Sequence, residues 1–142
     1  MKKHFHLALV LFAGLLIFNS CKKTSNDLID QSLVSDTTAV LKFQGNFISG
    51  PYGTVSGVAK IYLKQGQYTV ALENFSSSNG PDLKVYLSKE QMPVNFIKLD
   101  DLRSTMGNQL YGVTVATSFT EYKYVLIHCE QFNHLFGSAL LE

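Results

Sequence analysis

Apolar and polar residues alternate along much of the chain beyond residue 39. Val58-Ala59-Lys60-Ile61-Tyr62-Leu63-Lys64 puts Ala59, Ile61 and Leu63 on one face and Lys60 and Lys64 on the other. That two-residue period predicts a half-buried strand. Gln65-Gly66 predicts a hairpin turn, after which Tyr68, Val70 and Leu72 resume the apolar face. Gly80-Pro81-Asp82 predicts a second turn, because proline presets φ and glycine frees it. Leu83, Val85 and Leu87 then form another inward row. Met92-Pro93 breaks the pattern, a short strand is expected over Phe96–Leu99, and Met106-Gly107-Asn108 reads as a loop. Tyr111, Val113 and Val115 alternate again, Tyr124–Cys129 is nearly continuously apolar, and Leu135–Leu141 closes the pattern around Gly137. About seven or eight short strands with regular turn signals predict an all-β domain over residues 39–142, a single antiparallel β-sandwich or jelly-roll-like fold.

The first 38 residues follow a different rule. Lys2 and Lys3 precede a compact apolar run, Leu7–Phe18, which ends in Phe18-Asn19-Ser20-Cys21. A basic start, an apolar stretch and a small residue before a cut describe a secretory signal peptide. The run is shorter than the about 20 apolar residues a spanning helix needs. The cysteine at the cleavage point makes residues 1–20 resemble a bacterial lipoprotein signal. That resemblance implies that Cys21 takes a diacylglyceryl group and a fatty acyl chain such as palmitate and becomes the mature N-terminus. Residues 21–38 are then a lipidated start and a flexible polar tether, spanning on the order of 25 Å. The expected location is the bacterial cell envelope, with the domain held outside the cytoplasm on a lipid bilayer through Cys21. The outer membrane is the expected site if the cell has one.

Charge and composition narrow the partners. The chain carries a net charge of +1, and losing Lys2 and Lys3 takes it to about −1, so no global field favours nucleic acid. No basic cluster with interleaved aromatics occurs either, which argues against nucleic-acid binding. Of the two cysteines, lipidation would consume Cys21, leaving Cys129 without a disulfide partner in the same chain. No nucleophile elbow, phosphate-binding loop or H-E-x-x-H motif is present, so a classical enzyme is not expected.

The densest candidate chemistry is His128-Cys129-Glu130-Gln131-Phe132-Asn133-His134. On a strand, neighbouring side chains point to opposite faces, which groups Cys129 with Val125 and Ile127 and groups His128 with Tyr124 and Leu126. His134 lies past a turn and can fold back toward either. Thiolate and imidazole suit copper or zinc, although a site wants three or four ligands. The plainer reading makes Cys129 a small buried hydrophobe and both histidines surface residues. Asp82 is either a ligand carboxylate or a turn residue, with the turn favoured. Glu90, Asp100 and Asp101 read as solvated loop charges. Tyr52, Tyr62 and Tyr86 are candidates for an exposed stacking face.

Several stretches together resemble a known family. Asn74-Phe75, Gly80-Pro81-Asp82-Leu83-Lys84-Val85-Tyr86-Leu87-Ser88, Tyr124–Cys129 and Phe132 with Phe136-Gly137-Ser138-Ala139-Leu140 occur in this order. Ser56-Gly57-Val58-Ala59-Lys60-Ile61 precedes them. The set is similar to the DM-thirteen domain, the electron transfer DM family, over about Leu41–Leu141. The resemblance implies an extracytoplasmic β module with a redox role centred on one cysteine, here Cys129, and a redox partner protein. It leaves room for a metal or haem held through Cys129. The competing reading is a non-catalytic ligand-binding or adhesion module, with its contact surface formed by the loops Ser49–Thr54, Ser76–Asp82 and Lys89–Asn95.

Overall fold

The computed structural model describes residues 38–142, so Cys21, the apolar run and most of the tether lie outside the described residues. Eight strands follow in chain order: β1 (Val40–Ser49), β2 (Val55–Lys64), β3 (Gln67–Ser77), β4 (Leu83–Ser88), β5 (Phe96–Asp101), β6 (Gln109–Val113), β7 (Tyr124–Cys129) and β8 (His134–Leu140). All pairings are antiparallel, in the order β5-β4-β7-β8-β1-β2-β3-β6. The domain is all-β, as the alternation predicts, with the sheet wrapped over itself into a sandwich. Its two edge strands, β5 and β6, come together without a hydrogen-bonded ladder.

The predicted inward rows form the core except at the turn end of the β2–β3 hairpin, where Leu63 is half-buried outside the cluster and Tyr68 only partly buried against it. Ala59, Ile61, Val70, Leu72, Val85, Leu87, Val125, Ile127 and Ala139 are completely buried in one cluster. Residues two apart on each strand meet between the two halves of the sheet, as in any sandwich. The Gln65-Gly66 hairpin is a two-residue loop in which both residues have positive φ, 48° and 81°. Those values match the twist that a tight hairpin needs. Val115 departs from the expected pattern: β6 ends at Val113, and Val115 is half exposed beyond it.

Two local devices shape the outside of the molecule. The first is the seam between β1 and β8. Gly45 lies so close to Leu140 that a Cβ would collide with the Leu140 carbonyl oxygen. The seam continues as reciprocal backbone bonds between Gln44 and Glu142 at 3.0 and 2.9 Å. The second is the β4–β5 loop, which folds back over the outer face. Ser88 donates its hydroxyl to the Met92 and Asn95 carbonyls, and Gln91 Nε2 donates to Ser138 Oγ at 3.2 Å. Tyr86, Leu126 and Leu135 form a second buried cluster on the outside of the sheet, with the loop tied down beside Leu126 through Ser138 and Tyr86 stacked under Phe96. Glu90 is exposed, but its carboxylate accepts both the backbone and the side-chain amide of Asn95, bracing that loop.

Gly45→Ala should lower the unfolding free energy by about 1–3 kcal/mol or more, because backbone on both sides must part. Gly112→Ala meets nothing within 4 Å and should stay within about 0.5 kcal/mol of the parent. Urea unfolding of both variants checks the pair.

Candidate functional site at the Cys129 end

Strand register sorts the loops into two ends. Leu83 pairs with Cys129, Cys129 with His134, and Ser49 with Gly137. The β1–β2, β3–β4 and β7–β8 loops therefore gather at the Cys129 end. Ser88 pairs with Tyr124 and Tyr124 with Leu140, so the Lys89–Asn95 loop belongs to the other end. The expectation that Ser49–Thr54, Ser76–Asp82 and Lys89–Asn95 share one contact surface is corrected: the twist and register place the third loop a strand's length away.

At the Cys129 end, the Gly80-Pro81-Asp82 turn packs against the end of β7. The Glu130 amide donates to the Asp82 carbonyl at 3.0 Å, and the Leu102 amide donates to the Leu83 carbonyl at 2.8 Å. Gly80 packs closely here: a Cβ would meet Leu83 Cδ2 at 2.8 Å and Phe136 Cζ at 2.9 Å, so those side chains would have to shift. Asp82 occupies the predicted turn, and its carboxylate pairs with Lys84 at 2.6 Å. Lys84 also meets Asp101 at 2.6 Å, so Asp101 is an ion-pair partner and not merely a solvated charge. The hydrogen bonds to Asp101 and Asp82 hold the Lys84 ammonium well above the ordinary lysine range. Asp100 pairs with Arg103, and its carboxyl is held below the usual range, chiefly by the Asp101 amide and then by that guanidinium. A polar cleft of about 450 Å³ opens here, lined in part by Asp82, Lys84, Asp101 and Arg103.

The two residues at the end of β7 face opposite ways, as the alternation predicts. Cys129 is 1% exposed and belongs to the main core cluster with Val125 and Ile127. It is the free cysteine of the described residues. His128 points outward yet is only 3% exposed, which corrects its reading as a surface residue. The outer face there is covered: the His128 ring lies 5.5 Å from the Tyr86 ring, which in turn stacks on Phe96 at 4.4 Å. Tyr86 is 1% exposed and Tyr62 is 9% exposed, so of the three candidate stacking tyrosines only Tyr52 is open. Burial pushes the Tyr86 hydroxyl up to about 12, with the Glu130 charge adding to it.

His128 Nε2 meets Asn133 Oδ1 at 3.1 Å, while His128 Nδ1 is buried with no hydrogen-bond partner. Asn133 reaches back because it sits at the tight turn into β8 with a positive φ of 53°. A neutral ring that donates from Nε2 leaves a bare lone pair on Nδ1. Protonating Nδ1 would instead create a buried donor with nothing to accept it. Desolvation accordingly pushes the His128 pKa below its ordinary value, with the nearby His134 acting in the same direction. His134 lies flat against Tyr52, ring centroids 3.7 Å apart and planes 2° from parallel, with Phe132 beside it.

This arrangement does not fit a metal or haem held through Cys129. The thiol faces apolar core, His128 faces away, and the described residues contain no group of three or more His, Cys, Asp or Glu placed to hold a metal ion. A lone inward sulfur supplies too few donors. Cys129 also lines neither the cleft beside Asp82 nor the larger groove on the outer sheet face. Sequence reasoning missed that the outer side of β7 is covered, and the signal was present in its unbroken apolar run.

A family model described as electron transfer DM13 matches residues 46–141. No curated protein and no solved structure matches the chain. The matched span runs from within β1 to just past β8, so it covers both the Gly80-Pro81-Asp82 turn and Cys129.

His128 sets a pH dependence. Its folded pKa lies below the unfolded value near 6.5, so its neutral-form stability is present above pH 6.5. That stability is lost as the pH falls from there through the depressed folded value. The melting temperature should therefore drop between neutral pH and pH 5, and His128→Gln should flatten this acid slope.

Proposed function

The chain belongs to the electron transfer DM13 family, and on that premise we propose that it is an exported, lipid-anchored redox domain. In this reading Cys21 carries the anchor and Cys129 is the group that changes oxidation state for a partner protein in the cell envelope. The observation that carries the reading is the family match across a domain whose free cysteine pairs in register with Leu83, the residue that follows the family-like Gly80-Pro81-Asp82 turn.

One sulfur cannot run an internal dithiol cycle. It can exchange with a partner's disulfide: the Cys129 thiolate attacks one partner sulfur, the S–S bond breaks, and the other partner sulfur leaves as a thiolate. The thiol's proton goes to solvent when the thiolate forms. Burial of Cys129 means that this exchange requires the Gly80–Leu83 and Glu130–Asn133 segments to part locally. Access then depends on a local opening that costs less than global unfolding. Those two segments are joined at the Glu130–Asp82 backbone bond, and their loops meet solvent on the outside.

The test uses the chain from Lys22 to Glu142 and measures Cys129 labelling by a disulfide reagent against urea and pH. Labelling well below the unfolding midpoint, abolished by Cys129→Ser, supports the reading. A thiol that reacts only in step with global unfolding rejects it. The anchor is tested separately: the full chain expressed in a bacterium should label with palmitate, and Cys21→Ser should remove the label and release the protein from membranes.

A further inference from the structure

A concavity lies on the outer sheet face, away from Cys129. It is a groove of about 720 Å³, within the usual range of about 300–1,000 Å³ for small-molecule sites. Its floor is the β1–β8 seam, where Gly45 lets the two strands approach. One wall is β2 with Val58 and Lys60, and the other is the folded-back loop carrying Gln91. We propose that this groove binds a neutral polyhydroxylated ligand, namely a saccharide chain of about two or three sugar units.

The lining supports that chemistry. Gln44 and Asn46 project carboxamides into the groove, and neither side chain has a hydrogen-bond partner among the described residues. Each offers both donors and acceptors in a fixed plane, the pattern that paired sugar hydroxyls need. Ser138 is only 2% exposed, and its oxygen accepts from Gln91 Nε2, which fixes the Gln91 carboxamide and leaves its carbonyl oxygen for a ligand. Ile48 and Leu140 are exposed apolar patches beside these amides, and Tyr124 adds a ring. Polar groups next to small apolar surfaces suit the two kinds of surface a sugar ring presents.

The charges argue against an anion. Lys60 is the groove's cation, and its ammonium is already bound by the Glu73 carboxylate, which also accepts from the Tyr62 hydroxyl. Glu142 places a carboxylate in the lining and would repel phosphate or sulfate. An extended peptide fits poorly as well. It would need an open strand edge for backbone pairing. The floor strand β1 is instead held by β2 over Val40 to Asn46 and by β8 over Phe47 to Ser49, and the Gln44–Glu142 backbone bonds close the β8 side beside the groove.

This inference does not rest on the redox reading, because the groove and Cys129 lie on opposite faces of the sheet. The chain from Lys22 to Glu142, labelled with ¹⁵N, is titrated with maltotriose, cellotriose and tri-N-acetylchitotriose in the millimolar range. At least one trisaccharide should shift the amides of Gln44, Asn46, Gln91 and Ser138 saturably, and Cys129→Ser should bind it equally well. Gln44→Ala and Asn46→Ala should each weaken binding about fivefold to tenfold at unchanged melting temperature, as loss of one or two hydrogen bonds implies. Three outcomes overturn the proposal: no saturable shift with any of the three sugars, shifts centred outside the groove, or affinity unmoved in both amide variants. Binding of an anionic heparin tetrasaccharide or an extended hexapeptide at this face, with none by the neutral sugars, also overturns it.

Discussion

The structure depends on β1 hydrogen-bonding to both halves of the sheet at once. Its first part, Val40 to Asn46, pairs with β2, and its last part pairs with β8 through Phe47, Ile48 and Ser49, with the Gln44–Glu142 backbone bonds extending that second seam. Without that double pairing the molecule would be two four-stranded sheets with two further open edges. The seam is possible because position 45 carries no side chain where β1 meets the Leu140 carbonyl. The same close approach makes the outer floor of the groove, so a packing constraint on backbone atoms also shapes that concavity.

Strand β7 shows how a sandwich separates chemistry that the sequence places side by side. His128 and Cys129 are adjacent in the chain and divided by the thickness of a sheet. Cys129 ends up in the apolar core, and no metal-type group of three or more His, Cys, Asp or Glu occurs among the described residues. His128 ends up against Tyr86 beneath a covered outer face, where desolvation favours the neutral ring. Cooperation between the two would require leaving the folded geometry. For that reason local opening at the Cys129 end is central to the redox reading.

Much of the fold was legible because a strand's two faces have a period of two. Ala59, Ile61, Val70, Leu72, Val85 and Leu87 were assigned inward from alternation alone, and all six are completely buried. The hairpin at Gln65-Gly66 and the turn at Gly80-Pro81-Asp82 were readable from local φ preferences. What failed concerned relations between strands. Alternation puts His128, Tyr62 and Tyr86 at the surface, but Phe96 of β5 stacks over Tyr86, Tyr86 packs against His128, and Tyr62 is drawn down onto Glu73. The three loops expected to form one surface divide between two ends because antiparallel register alternates the end at which each turn lies.

The chain's own residues determined the strands, the two tight turns, the inward rows and the family-like order of motifs around Cys129. These rest on interactions between residues a few positions apart, so they can be read in one dimension. Tertiary structure alone decided the strand order, the Lys84 clamp between Asp82 and Asp101, and the buried lone pair of His128. It also decided the groove, whose Gln44, Asn46, Gln91 and Ser138 carry no local signature. Each of these joins residues distant in sequence, and their meeting is set by sheet register and backbone approach, which no short window of sequence encodes.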